Sequence, residues 1–342
     1  MTAVSDSRRK TPKRETAGCA PLRRPGSVRR TSSINVAWPE GRNGPTLLVG
    51  RARDIVTPAS GGAPAVIAED SFTTKLARDR TILDIAASPP RPALARLVDQ
   101  RGGGKLRKAL QDVVPEERAG ATPLYLLLDD ISGASLVSGW AFSQWDPNWL
   151  ETLKKAAEDP ALAKAFPDRT GICAGFAPGS SGFNFTADRT GTPVPELQHP
   201  DDPDGWHHMD KQTEMGMRRA RRIDVWREDG VIRIDAAFQD SASRPDGGRA
   251  AVHEYTLSAT ADPQTMRLLS VEPQPRVLPF VECETAVLTA SRLVGAPLPD
   301  LRERVLEELK GTAGCTHLND ALRALAEVPA LVGHLAGQTG MP

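Results

Sequence analysis

From residue 223 onward the apolar and polar positions alternate. Ile223-Asp224-Val225-Trp226 and Val231 to Phe238 each read as a strand, and Glu228-Asp229-Gly230 between them is a hairpin turn. Alternation resumes from Val252 to Thr260, where Val252, Glu254 and Thr256 oppose His253, Tyr255 and Leu257, and again from Arg267 to Glu272. After Pro273 and Pro275 the period changes. Leu301, Val305 and Leu309, then Leu318, Leu322 and Leu325, recur at helical steps, and Cys283 to Leu293 makes a further helix. Strands first and helices after predict an α+β layer, with helices covering one face of an antiparallel sheet.

An earlier stretch repeats this order. Arg29-Arg30 followed by Ile34-Asn35-Val36 matches Arg218-Arg219 followed by Ile223-Asp224-Val225 at identical spacing. Leu76, Leu83 and Ile85 match Leu257, Leu269 and Val271, and the run from Lys105 to Leu110 lies opposite Asp300 to Val305. Gly120-Ala121-Thr122-Pro123-Leu124 lies opposite Gly314-Cys315-Thr316-His317-Leu318. Four blocks in one order predict two tandem copies of a four-stranded antiparallel sheet, each covered by two or three C-terminal helices. The first, degenerate copy spans 26–145 and the second 216–339. Residues 146–215, rich in Pro, Gly and Asp, form a connector with a short helix from Trp149 to Ala165.

Composition narrows the setting. The 342 residues carry 43 basic and 43 acidic side chains, so no global field draws nucleic acid or an anionic membrane. The exception is local: residues 1–25 hold seven Arg/Lys among Ser, Thr, Pro and Gly with almost no aliphatic residue, which predicts a disordered basic tail. No apolar run is long enough to span a membrane and no secretory signal opens the chain, so a cytoplasmic location is expected. Four cysteines, Cys19, Cys173, Cys283 and Cys315, are too few for a disulfide scaffold in a chain this long.

The candidate chemistry lies in the second copy. Opposite His253 the first copy has Phe72, opposite Cys315 it has Ala121, opposite His317 it has Pro123, and the segment around Cys283 is shortened away. Cysteine and neutral histidine suit zinc or iron, so His253, Cys283, Cys315 and His317 form a candidate ligand set, with zinc expected and iron or an iron–sulphur cluster as the alternative. A packing role would not explain their joint absence from the sister copy. His207 or His208, beside Asp210, would be an outlying fifth candidate. Cys19 and Cys173 stand in loops with no partner in sequence. Gly102-Gly103-Gly104-Lys105 lacks the pattern of a phosphate loop and reads as a turn before a helix.

The runs Arg221-Arg222-Ile223-Asp224-Val225-Trp226, His253-Glu254-Tyr255, Leu278-Pro279 through Cys283, Leu293-Val294-Gly295 and Gly314-Cys315-Thr316-His317-Leu318 resemble a bacterial family of unknown function, number twenty-eight eighty-nine among such domains. That resemblance implies no activity. The element order is also similar to the U-type scaffold proteins of iron–sulphur cluster assembly, NifU and IscU. That likeness implies a site at His253, Cys283 and Cys315, where the scaffold carries its three cysteines. Here His253 replaces a cysteine, Tyr255 an aspartate, and Gly314 the histidine before the last cysteine.

Three functions follow. A closed site on all four ligands is structural or a scaffold, and three ligands with an open position support metal-assisted hydrolysis. Alternatively Cys315, at a helix start, is the nucleophile of a thiol enzyme with His253 or His317 as base. The third is a non-catalytic interaction protein that meets a protein partner or a second copy of itself.

Overall fold

In the computed structural model the described residues are 15–158, 168–183 and 191–336. Strands β1 (Ser27–Ala37), β2 (Thr46–Thr57), β3 (Ala65–Leu76) and β4 (Ile82–Ser88) open the chain, and β6 (Gly216–Glu228), β7 (Val231–Ser243), β8 (Arg249–Ala261) and β9 (Leu268–Val277) follow in its second half. They do not form two separate four-stranded sheets. β1 and β6 pair antiparallel, so the order β4-β3-β2-β1-β6-β7-β8 runs unbroken. β9 lines one part of β8, and the short β5 (Thr192–Val194) lines another, giving nine strands in one sheet. The Asp229-Gly230 turn closes the β6–β7 hairpin, with both residues at positive φ as such a turn requires.

Helices cover one face. From the first half come α1 (Leu106–Val113), α2 (Pro115–Ala119) and α3 (Pro123–Val137), the last capped by Thr122, whose hydroxyl accepts the Tyr125 N–H. α4 (Ala141–Trp145) and α5 (Trp149–Glu158) lead into the connector; the remainder of the expected helix to Ala165 lies outside the described residues. From the second half come α6 (Thr285–Thr289), α7 (Leu301–Glu308), α8 (Thr316–Arg323) and α9 (Val328–Ala336). The expected helix from Cys283 to Leu293 is broken into two 3₁₀ turns flanking α6. No described helix is long and apolar enough to cross a membrane.

Between sheet and helices lies a layer of charge as well as apolar core. Strand alternation puts Arg30 of β1 and Arg219 and Arg221 of β6 on the helical face. Arg30 forks onto Asp54 with two bonds of 2.6 Å and reaches Glu327 at 2.6 Å. Arg219 forks onto Asp240 at 2.9 Å and reaches Asp320 at 2.8 Å, while Arg221 holds Asp130 at 2.8 Å. Arg302 and Arg323 close on Asp129 at 2.7 and 2.8 Å, and Arg107 on Asp320 at 2.7 Å. Six arginines thus meet six carboxylates, which is what makes their burial tolerable. Burial pushes the Asp129 carboxyl up, but Arg323, Arg302 and Arg107 outweigh it and hold the group well below the usual range.

The other face is covered by two loops rather than helices. Residues 196–209 lay Leu197, Trp206 and Met209 against Ala20 and Ala220. The expectation of disorder through residue 25 is corrected over its last part: the Ala17 N–H donates to Glu254 at 2.9 Å, Ala20 bonds Leu197, and Arg23 clasps Asp202 at 2.5 Å. Residues 1–14 of that tail lie outside the described residues.

Candidate metal centre

Cys315 is the N-cap of α8, placed there by the preceding Gly314. A Cβ on Gly314 would fall 2.1 Å from the Leu309 carbonyl oxygen, so only glycine lets the chain pass. Asn319 donates to that same carbonyl at 2.8 Å and locks the turn. His317, two residues on, turns Nδ1 towards Cys315 Sγ at 4.0 Å and Nε2 towards Asp240 Oδ2 at 3.7 Å. It is the pivot of the site.

On the Nδ1 side are thiols. Cys283, in the 3₁₀ turn Val281–Glu284, lies beside Cys315, and the Tyr255 hydroxyl of β8 donates to Cys315 Sγ at 3.4 Å. All three are buried, at 2%, 1% and 0% exposure. The neighbouring Cys315 and burial together keep the Cys283 proton in place, whereas interactions with Cys283, His317 and Tyr255 outweigh burial and favour the Cys315 thiolate. Cys173 joins this group from the connector. The Ala174 N–H donates to the Gly314 carbonyl at 2.9 Å, and the Thr316 N–H donates to the Cys173 sulphur. Gly175 permits the approach, since a Cβ there would sit 3.1 Å from Cys283 Sγ. Burial and the neighbouring Cys315 push the Cys173 thiol up.

On the Nε2 side are Asp240 and His253, whose ligand atoms lie with that of His317 inside a 4.8 Å set. The two imidazoles stack, with centroids 3.4 Å apart and planes at 17°. His253 is buried, its Nδ1 has no hydrogen-bond partner among the described residues, and desolvation, His317 and Arg219 all press it to stay neutral.

The structure therefore joins the four expected residues in one buried run, His253 against His317, His317 against Cys315, Cys315 against Cys283. It excludes His207 and His208 from it. His207 lies on the opposite face of the sheet, between Ser33 at 2.7 Å and Thr31 at 2.9 Å, and His208 is exposed beside Asp210. Sequence reasoning missed Cys173 and Asp240, and its strand alignment was out by four residues. Asp240 stands opposite His253, as Asp54 stands opposite Ala68, and each pair precedes a register shift. Ala68, not Phe72, is thus the counterpart of His253 by ladder position.

A family model described as a protein of unknown function, DUF2889, matches residues 217–331. The second half carries a DUF2889 domain. The match takes in β6 from its second residue, all of β7 to β9, and Asp240, His253, Cys283, Cys315 and His317; Cys173 lies outside it. No curated protein and no solved structure matches the chain, so the likeness to iron–sulphur scaffolds gains no support from the comparisons.

Proposed function

We propose that the DUF2889 segment holds a buried zinc-type metal ion on Cys283, Cys315 and His317 Nδ1, with Cys173 of the connector as fourth ligand. The observation that carries this is the gathering of Cys173 and Cys283, from two separate segments, around Cys315, whose Sγ lies 4.0 Å from His317 Nδ1. Thiolates and one imidazole are a common structural zinc set, and zinc accepts it tetrahedrally. Asp240 then stands behind His317 as the carboxylate that orients a ligating imidazole, and Arg219 holds Asp240 in turn.

The Nε2 side is the weaker host. Imidazole lone pairs lie in the ring plane, and with the two rings stacked at a centroid separation of 3.4 Å an ion in the plane of one is poorly placed for the other at a bond length of about 2.0–2.1 Å. Asp240 is also already doubly bonded by Arg219, a buried cation. Asp54 does the same for Arg30 with no histidine opposite, so the Arg–Asp fork is a structural unit in its own right. His253 serves as a neutral backing ring for His317; taking the fourth position in place of Cys173 would require its ring to turn.

Four protein ligands close the site, and Cys315 offers only 1% of its surface to solvent. Burial of this degree supports a structural clamp, tying the connector to the start of α8, over a thiol enzyme whose nucleophile must meet substrate. The sheet supports a duplicated origin as well. Ser32 pairs with Arg221, Arg29 with Asp224 and Asn35 with Arg218, so the β1/β6 ladder maps onto itself when the halves are exchanged.

Metal analysis of purified protein tests this reading. About one zinc per chain is expected, lost from Cys283→Ser, Cys315→Ser and Cys173→Ser but retained by His253→Ala. Retention in Cys173→Ser with loss in His253→Ala would return the fourth place to His253. Iron with a visible chromophore would favour the cluster alternative, and no metal in freshly isolated protein would defeat the proposal.

A further inference from the structure

On the face of the sheet away from the helices, a cavity of about 550 Å³ opens between the strands and residues 196–212 of the connector. β2, β6 and β8 each send an arginine to its wall, Arg53, Arg218 and Arg249. We propose that this cavity binds a small, multiply charged oxyanion, a phosphoryl- or polycarboxylate-bearing molecule.

The case rests on charge that the described residues leave without a direct ion pair. Other arginines on this face are matched: Arg29 by Asp224 and Asp202, Arg222 by Asp224 and Asp235. Arg53, Arg218 and Arg249 are not, for among the described residues no carboxylate comes within ion-pair distance of them. Their hydrogen bonds go to neutral acceptors. Arg218, 4% exposed, donates to the Asn35 side chain at 2.7 Å and to the Asp210 carbonyl. Arg249 donates to Ser241 and Gln212, and Arg53 to the carbonyls of Asp204 and Trp206. Desolvation presses hardest on all three guanidinium groups and Arg218 adds repulsion at Arg249, against the longer-range pull of Glu69 and Asp204 on Arg53 and of Glu196 on Arg218 and Arg249. A guanidinium stays charged in proteins, so the strain is relieved by an anion rather than by proton loss.

Unused donors point the same way. The Arg53 Nε and the Trp206 indole N–H are buried on this wall without a partner among the described residues. Lys211 stands exposed at the rim. The lining carboxylates do not fill the role: Asp210 is engaged by Arg51 at 2.9 Å, and Glu196 and Asp204 are solvent-exposed. The volume admits a ligand of metabolite size.

Calorimetric titration of the full chain at constant ionic strength, with pyrophosphate in one arm, citrate in another and chloride as control, tests the inference. One saturable site is expected for pyrophosphate or citrate, the responding arm showing whether phosphoryl or carboxylate groups are preferred. Arg249→Gln should weaken binding at least about tenfold through loss of a charge-assisted fork. Should that variant fail to fold, Lys211→Glu at the rim should weaken binding in the same direction. Absence of saturable binding for both anions, or affinity unchanged in a folded variant, would overturn it. Neither outcome depends on the metal centre.

Discussion

Glu327, in the turn before α9, accepts a 2.6 Å hydrogen bond from Arg30 of β1, 297 residues earlier in the chain. The pair sits at 0% and 2% exposure and binds the C-terminal helices to β1, an interior strand of the sheet. Glu327 also receives Arg302, and Arg30 also holds Asp54, so neither charge can be removed without stranding another. Glu327→Gln should therefore cost about 3–5 kcal/mol, measured by urea unfolding. In a double-mutant cycle with Arg30→Met the losses should be clearly less than additive. A loss below about 1 kcal/mol would show that water or a local shift relieves the network.

Gly133 tests the same layer from the helical side. In a helix interior, glycine to alanine ordinarily gains about 1 kcal/mol. Here the new methyl would lie 1.9 Å from Arg219 Nη1 and 2.5 Å from Asp320 Oδ2. Arg219 is forked onto Asp240 and tied to Asp320, so it has no room to yield. Gly133→Ala should accordingly destabilise by about 1–3 kcal/mol. A stabilising effect in thermal unfolding would contradict the packing described.

His207 makes a pH prediction. Burial, then Arg53, Arg218 and Arg51, push its pKa down to about 3, while in the unfolded chain it titrates near its ordinary value. The folded state thus keeps the ring neutral where the unfolded state binds a proton. Above about pH 6.5 the group adds no pH dependence. As pH falls from there towards 3, stability should drop by up to about 1.4 kcal/mol per unit. His207→Gln, which cannot titrate, should lose less stability than the parent over that window. Parallel curves for parent and variant would remove His207 as the cause.

Most of the strand and helix order was legible, because alternation from Val231 to Phe238 and the Asp229-Gly230 turn are local signals. The single sheet was not. Nothing in β1 or β6 taken alone says that Arg29 will lie opposite Asp224. The arginine layer was visible only as a repeat marker, since paired charges break the apolar alternation that identifies a buried face. Of the candidate centre, His253, Cys283, Cys315 and His317 could be found by their absence from the first half. Cys173 could not, as its role depends on a loop closing onto Gly314 from 141 residues away. A weak signal existed in Cys173-Ala174-Gly175, where a small residue next to a cysteine marks close approach.

The central claim is that metal lies on the thiol side of His317, and X-ray absorption at the zinc edge of the purified protein tests it most directly. The account predicts a first shell of three sulphurs at about 2.3 Å and one nitrogen at about 2.0–2.1 Å. A shell of nitrogen and oxygen alone, at about 2.0–2.2 Å, would place the ion with Asp240 and His253 and contradict it.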